Sequence, residues 1–373
     1  MSDTKEKKDM TQVKLSGRDI LQDILSSSIL RIVIAIFLAF VFGLLLVIFT
    51  NARVLESLPN FFGNPGEFFA AASSSIGAFF EAFFKGAIFN PNGKTVEAQF
   101  RPLTESLRFA GPLIAAGLGV ALTFRVGMFN IGAMGQILFG SAFAAYASFQ
   151  FHLPVGVHLV VAVIFGLIGA SIWSAIAGWL KAQTGAHEVI VTIMMNYIAL
   201  NLVTYAMRTD ILNPGATSTT PQAHAPDPNA VLPLLLGPGF KIHWGFILVL
   251  ASVAVYWWLM EKSSIGFKFR AVGFNPDAAK TAGINVKRIY VLSMAFSGLF
   301  VGIAAVNQTL GDSLRITPGI DGGIGFEAIT VALLGGSNAI GVLLAGLLFG
   351  AMKATGPAMQ SAGVSPDILS VVQ

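Results

Sequence analysis

Long apolar runs separated by shorter polar segments form the dominant pattern of this 373-residue chain. Each run is close to the roughly 20 residues that an α-helix needs to cross about 30 Å of hydrocarbon. The pattern therefore predicts an all-α fold, a polytopic transmembrane helix bundle of about eight to ten spans. The clearest predicted spans are residues 29–50, 103–124, 129–151, 155–180, 189–207, 244–260 and 289–310.

Two further regions are apolar but irregular. Residues 61–90 contain Glu67, Glu81 and Lys85, which favour a segment at the interface or packed on the bundle over a span. The last apolar region is broken near 326–340 by the sequence Gly-Gly-Ser-Asn. This break predicts either a discontinuous helix beside a pathway or two helices joined by a tight turn.

The polar and apolar segments divide the chain into two parts. Residues 1–28 form a predicted cytoplasmic tail, and residues 29–373 form a single predicted transmembrane domain. No small-residue cleavage site follows the first apolar run, so we expect the tail and its anchor to be retained. The predicted outer loops are 51–101 and 208–243, and the predicted inner loop is 261–288.

The carboxyl end carries a helix-start signal. Ser365 suits a helix N-cap, and Pro366 suits the first helical position that follows it. Because the chain stops at Gln373, this signal predicts that a terminal span is absent from the chain or that the protein is shorter than related proteins.

Charge and composition support a membrane protein. Hydrophobic residues make up 54% of the chain and charged residues 11%, well below the roughly 25% charged residues of soluble domains. With the amino terminus inside, 14 of the 23 Lys and Arg fall in the tail and the inner connections, as is typical of cytoplasmic loops. This distribution explains the net charge of +4, and no basic stripe with interleaved aromatic residues favours a nucleic-acid partner.

Signatures of catalysis and cofactors are missing from the sequence. The absence of Cys excludes disulfides, iron–sulfur clusters and thiolate metal sites. The five His lack metal-ligand spacing, and no phosphate-binding loop, zinc-protease motif or nucleophile elbow occurs. We therefore expect no metal, no cofactor and no enzymatic activity, and in particular no ATP hydrolysis by the chain itself.

The inner loop contains the signals of one short helix. Asn275 suits the N-cap, Pro276 the first helical position and Asp277 the positive end of the helix dipole. Gly283 suits a left-handed residue that ends the helix. Because a helix of about two turns does not persist alone in water, we expect it to dock on its own bundle or on another protein. A solvated connector is the alternative.

Two motifs resemble a known family. Residues 270–284 carry R-A-V-G-x-N-P-x-A-A-x-x-A-G-I, which resembles the coupling loop of permease subunits of bacterial ABC importers for branched-chain amino acids, ribose and nucleosides. Residues 127–136 carry G-x-F-N-I-G-x-x-G-Q, which opens a span in the same family. The sequence H-E-V-I-V-T-I-M-M-N-Y at 187–197 most resembles the corresponding segment of the nucleoside permeases linked to basic membrane lipoproteins. The likeness covers about residues 100–360.

The resemblance implies a subunit arrangement and a solute. Two permeases, expected to be different chains, lie side by side in the bacterial inner or plasma membrane, surrounded by lipid. Two cytoplasmic ATPases bind their coupling helices, and an outer substrate-binding lipoprotein or periplasmic protein delivers the solute. The implied ATPase contact comprises Arg270, Gly273, Asn275, Pro276, Ala278, Ala279, Ala282 and Gly283.

The implied solutes are nucleosides first and simple sugars of the ribose type second. An ion-coupled secondary transporter and a membrane-embedded enzyme are the rival classes. The few carboxylates within the spans argue against a proton relay, and the absence of paired Asp or His within them argues against the enzyme.

Polar residues within the predicted spans are candidates for the translocation path, because such groups usually face the bundle interior or a water-filled route. Asn196 and Asn201 are separated by about 140° on a helix, so only one can face a given pore and the other is structural. Glu327 is either a path residue or a helix-start acid that the dipole stabilises. The path candidates are Asn130, Gln136, Asn196 and Glu327.

Overall fold

The computed structural model describes residues 28–215, 220–365, 368 and 371. The predicted cytoplasmic tail, apart from residue 28, lies outside the described residues, as do Pro366 and Asp367 of the predicted helix start. The predicted all-α fold is confirmed. The described residues form helices and their connections, and the only strand-like pairing among them is an isolated bridge between Leu234 and His243.

Side-chain caps set several of the helix starts. Thr95 accepts a hydrogen bond from the backbone N–H of Ala98, and Asn285 accepts one from that of Arg288. The helices are α1 (Ser28–Thr50), α2 (Ala52–Ser57), α3 (Pro65–Ala87), α4 (Val96–Arg125), α5 (Ala133–Gln150), α6 (Val157–Thr184), α7 (Glu188–Met207), α8 (Gly245–Lys262), α9 (Ser264–Phe274), α10 (Pro276–Thr281), α11 (Val286–Val306, continued by a π-helical turn at Asn307–Asp312), α12 (Ile324–Leu334), α13 (Ala339–Ala354) and α14 (Gly356–Ser361).

Within the described part of the chain, six helical segments are long and apolar enough to cross a membrane: α4, α6, α7, α8, α11 with its π-helical turn, and α13 with α14. A seventh crossing is possible if the segments 40–50 and 52–60, bent by 66°, form one span. This count is lower than the eight to ten predicted. Helix α5 carries Gln136 and Gln150 within its 18 residues, and α12 has only 11 residues.

Helix α4 lies at the centre of the bundle and packs on α8, α11, α12 and α13. In its most apolar stretch, 78% of the residues are buried. Small residues permit close packing elsewhere in the core as well. A Cβ at Gly298 of α11 would lie 2.6 Å from the Cα of Ser171 on α6, so these two helices approach as small-residue membrane interfaces do.

Residues 61–90 pack on the bundle, as predicted. Ser106 Oγ of α4 donates a hydrogen bond of 2.7 Å to the carbonyl of Ala87, at the end of α3. Gly86 lies against Thr355 and Ala358, where a Cβ would lie 2.8 Å from that of Ala358. The segment predicted as the outer loop 51–101 contains α2, α3 and the start of α4.

The broken region is a helical hairpin. Lys353 Nζ lies 2.8 Å from Glu327 Oε2, which joins the end of α13 to the start of α12, so the two helices run antiparallel. At 11 residues, α12 is about 16 Å long, roughly half a bilayer core. The turn contains Ser337 at φ 54°, and Asn338 caps α13 by accepting from the N–H of Gly341. The region thus combines a half-length helix with a tight turn.

Candidate coupling loop and translocation path

The predicted short helix of the inner loop is present as α10. Asn275 Oδ1 accepts hydrogen bonds of 3.0 Å from the backbone N–H groups of Asp277 and Ala278. Pro276 occupies the first helical position, where its missing N–H costs nothing. Gly283 has φ +82°, the left-handed conformation that its position predicted. The local signals of this segment were sufficient to place both ends of the helix.

Helix α9, which precedes α10, was not predicted. Ser263 Oγ accepts a hydrogen bond of 2.9 Å from the N–H of Gly266 and caps its start. Phe269 and Val272, three residues apart, are fully buried on the face that meets the bundle. The spacing of these two residues and the Ser263 cap are the sequence signals that could have identified α9.

Ionic and backbone contacts brace the loop against the rest of the bundle. Arg125 Nη2, at the end of α4, lies 2.9 Å from Glu261 Oε1, and Arg270 Nη1 lies 3.8 Å from Glu261 Oε2. A Cβ at Gly273 would collide with the carbonyl oxygen of Arg125. Of the two residues that the family motif places in the ATPase contact, Gly273 therefore faces its own bundle, while Arg270 remains one third exposed and lines the open groove beside α10.

The remaining loop residues divide by exposure. Ala279 is only 4% exposed and belongs to the protein core, whereas Phe274 is 95% exposed and Phe267 61% exposed. These aromatic side chains line an open groove of about 1150 Å³ next to α10. The sequence interpretation missed both, although their spacing of seven residues puts them on one face of α9. The loop surface that a partner can reach contains Phe267, Phe274, Asn275, Pro276, Ala278, Ala282 and Gly283.

Asn130 supports an irregular backbone segment that leads into α5. Its side chain is fully buried, and its Oδ1 accepts from the N–H of Gly132 at 2.8 Å and from Gln136 Nε2 at 3.2 Å. Its Nδ2 donates to Ser297 Oγ of α11 at 3.1 Å. Irregular backbone within a membrane bundle is stable only where such partners satisfy it.

Asn196 holds the same segment from the other side. Its Oδ1 accepts from the N–H of Gly135 at 2.8 Å, and its Nδ2 donates to the carbonyl of Ile131 at 2.9 Å. It is 2% exposed, whereas Asn201 is exposed on the opposite side of α7. Of these two Asn, the structural one is therefore Asn196, and its assignment as a path candidate does not fit its contacts.

Gln136 and Glu327 have different surroundings. The Gln136 side chain is 1% exposed, and its Oε1 has no hydrogen-bond partner among the described residues. Glu327 lies in the first turn of α12 and pairs with Lys353, which also donates to the carbonyl of Gly322 at 3.2 Å. The contacts of Glu327 suit a helix-start acid held by a cation.

Asp321 lies close to this ion pair and was missed by the sequence interpretation, because it stands in a connecting loop. Its side chain is 7% exposed, and its Oδ2 accepts from the N–H of Gly323 at 3.3 Å. Burial raises the pKa of the Asp321 carboxyl, and the Gly323 N–H opposes this shift only in part. Within the described part of the chain, no group of three or more His, Asp or Glu is arranged to hold a metal ion.

The family model described as branched-chain amino acid transport system / permease component matches residues 103–373. The chain belongs to this permease family. This permease is a multi-pass membrane protein and a transport subunit, so the resemblance inferred from the motifs at 127–136 and 270–284 is confirmed.

Three relatives illustrate the similarity. The permease is 37% identical over 270 residues to the guanosine ABC transporter permease protein NupP of Bacillus subtilis, covering 72% of this chain and 77% of that protein. It is 33% identical over 289 residues to the nucleoside ABC transporter permease protein NupB of Lactococcus lactis, covering 73% and 77%. It is 32% identical over 290 residues to the glucose ABC transporter permease protein TsgB13 of Haloferax volcanii, covering 75% and 76%. No solved structure matches the chain significantly.

Proposed function

We propose that this permease forms the membrane path of an ATP-driven importer for nucleosides. The observation that carries the solute class is the similarity to two relatives named for guanosine and for nucleosides, at 37% and 33% identity. The glucose permease, at 32% identity, supports a simple sugar as the second candidate. A nucleoside contains a pentose, so the base is the chemical group that separates the two candidates.

The coupling loop is the proposed contact with a cytoplasmic ATPase subunit. That subunit hydrolyses ATP, for which this chain has no sequence motif. A docking surface of this kind needs apolar anchors on a rigid support. The exposed Phe274 supplies an anchor, and the capped α10 with the ion pair of Arg125 and Glu261 supplies the support. Docked there, the ATPase moves α8 and α11, the two spans that the loop joins.

The other partners follow from the same proposal. A second permease, expected to be a different chain, completes the path, and a substrate-binding lipoprotein delivers the solute at the outer face. The loop is then cytoplasmic, and we place the amino terminus on the same side. The basic residues support this orientation, since the exposed Lys262, Lys268, Lys280, Lys287 and Arg288 all lie on the loop or at its ends.

Uptake by cells that carry the complete transporter tests the solute and the energy source. Labelled adenosine should enter, and unlabelled uridine should compete better than ribose or glucose. Depletion of ATP at a maintained membrane potential should stop uptake, whereas collapse of the ion gradient at maintained ATP should leave it unchanged. Equal competition by ribose would move the assignment to sugars, and dependence on the ion gradient alone would show a secondary transporter.

A further inference from the structure

Helix α7 carries an unusual set of side chains on its outer face. Tyr197, Asn201 and Tyr205 follow one another at intervals of four residues and so share one stripe of the helix. The Tyr side chains are 61% and 65% exposed, and Asn201 is also exposed. The opposite face, which includes Asn196 and Val203, is buried against the bundle. These three residues, the α7 stripe, point away from the protein core.

The depth of Tyr197 and Asn201 makes their polar groups costly to leave in lipid, whereas Tyr205 lies in the last turn of the helix. Helix α7 has 20 residues, about 30 Å, and Tyr197 lies at its midpoint. Asn201 Nδ2 donates to the carbonyl of Tyr197 at 2.8 Å, but its Oδ1 and the hydroxyls of both Tyr residues have no partner in the described part of the chain. Unsatisfied polar groups are disfavoured in hydrocarbon, and those within spans usually face a water-filled route.

Helix α6 has the exposed surface that contact with lipid favours. Its exposed positions Ile164, Ile168, Ile172 and Ile176 recur every four residues and are all aliphatic. The α7 stripe has the same periodicity and comparable exposure, yet it presents two phenols and one carboxamide. The difference in chemistry indicates that the stripe faces water and solute while the Ile row faces lipid.

We propose that the α7 stripe lines the translocation path and recognises the base of a nucleoside. The two Tyr rings are suited to stack on a planar base, which is the common mode by which aromatic side chains hold nucleobases. The free Oδ1 of Asn201, between them along the helix, accepts a hydrogen bond from an amino or imino group on the edge of the base. The inference rests on the proposed solute class, and a sugar without a base would gain no stacking from these residues.

The absence of Cys in the natural chain permits a direct test by single Cys substitution. The variants Tyr197→Cys and Asn201→Cys are exposed to a charged, membrane-impermeant thiol reagent in the assembled transporter, from the outside in cells and from the inside in inverted vesicles. Both should be labelled from at least one side, and adenosine should slow the labelling several-fold. Ile172→Cys on α6 is the lipid-facing control, and Ser264→Cys should be labelled only in inverted vesicles.

Transport kinetics provide the second measurement. Replacing Tyr197 by Leu should raise the KM for adenosine about ten-fold by loss of stacking, whereas Tyr197→Phe, which keeps the ring, should stay near the wild-type value. Asn201→Leu should raise the KM while the amount of assembled transporter is unchanged, because the side chain is exposed.

The outcomes separate the inference from the function on which it rests. Absence of labelling at both stripe positions, or labelling that adenosine does not slow in a transporter that imports adenosine, would overturn the inference alone. Failure of the wild type to import any nucleoside would overturn the proposed function. In a transporter that imports no nucleoside, labelling of the stripe without adenosine protection would leave the stripe water-facing and reject its recognition of a base.

Discussion

Helices α4 and α7 both have the length and apolarity of a membrane span, but their surroundings differ greatly. In α4, 78% of the most apolar stretch is buried, against 28% in α7. Small residues such as Gly117 and Gly119 let neighbouring helices approach α4 closely, whereas the main helix contacts of α7 are with α5 and α6. Composition alone therefore identifies a span, but it does not reveal whether the span is buried in the core of the bundle or exposed at its surface.

Polar residues in the two helices also differ in their surroundings. Thr123 in α4 is fully buried, and its hydroxyl donates to the carbonyl of Val120 at 2.8 Å, so it is satisfied within its own helix. Asn201 in α7 is exposed and keeps a free acceptor. A substitution should therefore affect folding when it falls on the first kind of position and transport when it falls on the second.

The largest effect is expected in the core. In Gly119→Leu, the Cβ alone would lie 2.7 Å from the carbonyl oxygen of Ser297 and 2.7 Å from Val301 Cγ2, and the Ser297 backbone cannot easily yield. Overpacking of this kind should cost about 3 kcal/mol or more. Folded protein in the membrane should fall to a small fraction of the wild-type amount. Leu202→Phe on the exposed side of α7 is the control and should not change abundance; equal abundance of both variants would contradict the comparison.

An intermediate effect, confined to function, is expected at the coupling loop. Replacing Phe274 by Ala should remove an exposed anchor and cost about 2 kcal/mol of ATPase binding, because buried aromatic residues dominate interface energies. Abundance should be normal, while co-purification with the ATPase and uptake should fall together. Phe62→Ala removes a Phe that is 98% exposed on another connection and should change neither.

A bulky residue in the groove should also prevent the ATPase contact, in this case by steric hindrance. Ala278→Trp should block docking, since Ala278 is exposed, whereas Trp at position 279 would disturb the chain's own core, where Ala279 is 4% exposed. If Phe274→Ala and Ala278→Trp both retain a stable ATPase complex, the loop surface is not the coupling contact.

The smallest effect concerns Asp321. Because burial raises its pKa, the neutral carboxyl is favoured in the folded protein more than in the unfolded chain. Asp321→Asn keeps the acceptor for the Gly323 N–H and should change stability by no more than about 0.5 kcal/mol. Asp321→Ala loses the acceptor and should cost about 1 kcal/mol. Thermal unfolding in detergent measures both, and a much larger loss in the Asn variant would show that the charged form is required.

Features that depend on neighbouring residues could be predicted from the sequence, whereas features that depend on distant contacts could not. The cap and end of α10 depend on residues within a few positions of each other, so Asn275, Pro276 and Gly283 could be interpreted from the sequence. The role of Asn130 depends on Ser297, which is 167 positions away, so no pattern around Asn130 could reveal it. Helix α9 was missed because its apolar residues serve two faces, one buried and one exposed, and show no single periodicity.

The hydrogen bonds of Asn130, Asn196 and Tyr256 have a consequence for redesign. The first two satisfy the backbone that leads into α5, and the Tyr256 hydroxyl donates to the carbonyl of Ser337, at 2.9 Å, in the turn of the α12–α13 hairpin. By chemistry alone they resemble solute ligands and would attract mutagenesis aimed at a new specificity. Each of these side chains instead hydrogen-bonds a backbone group that would otherwise be unsatisfied. Most variants at these positions should therefore fail to fold correctly. A specificity library should keep these three residues fixed and vary the exposed face of α7.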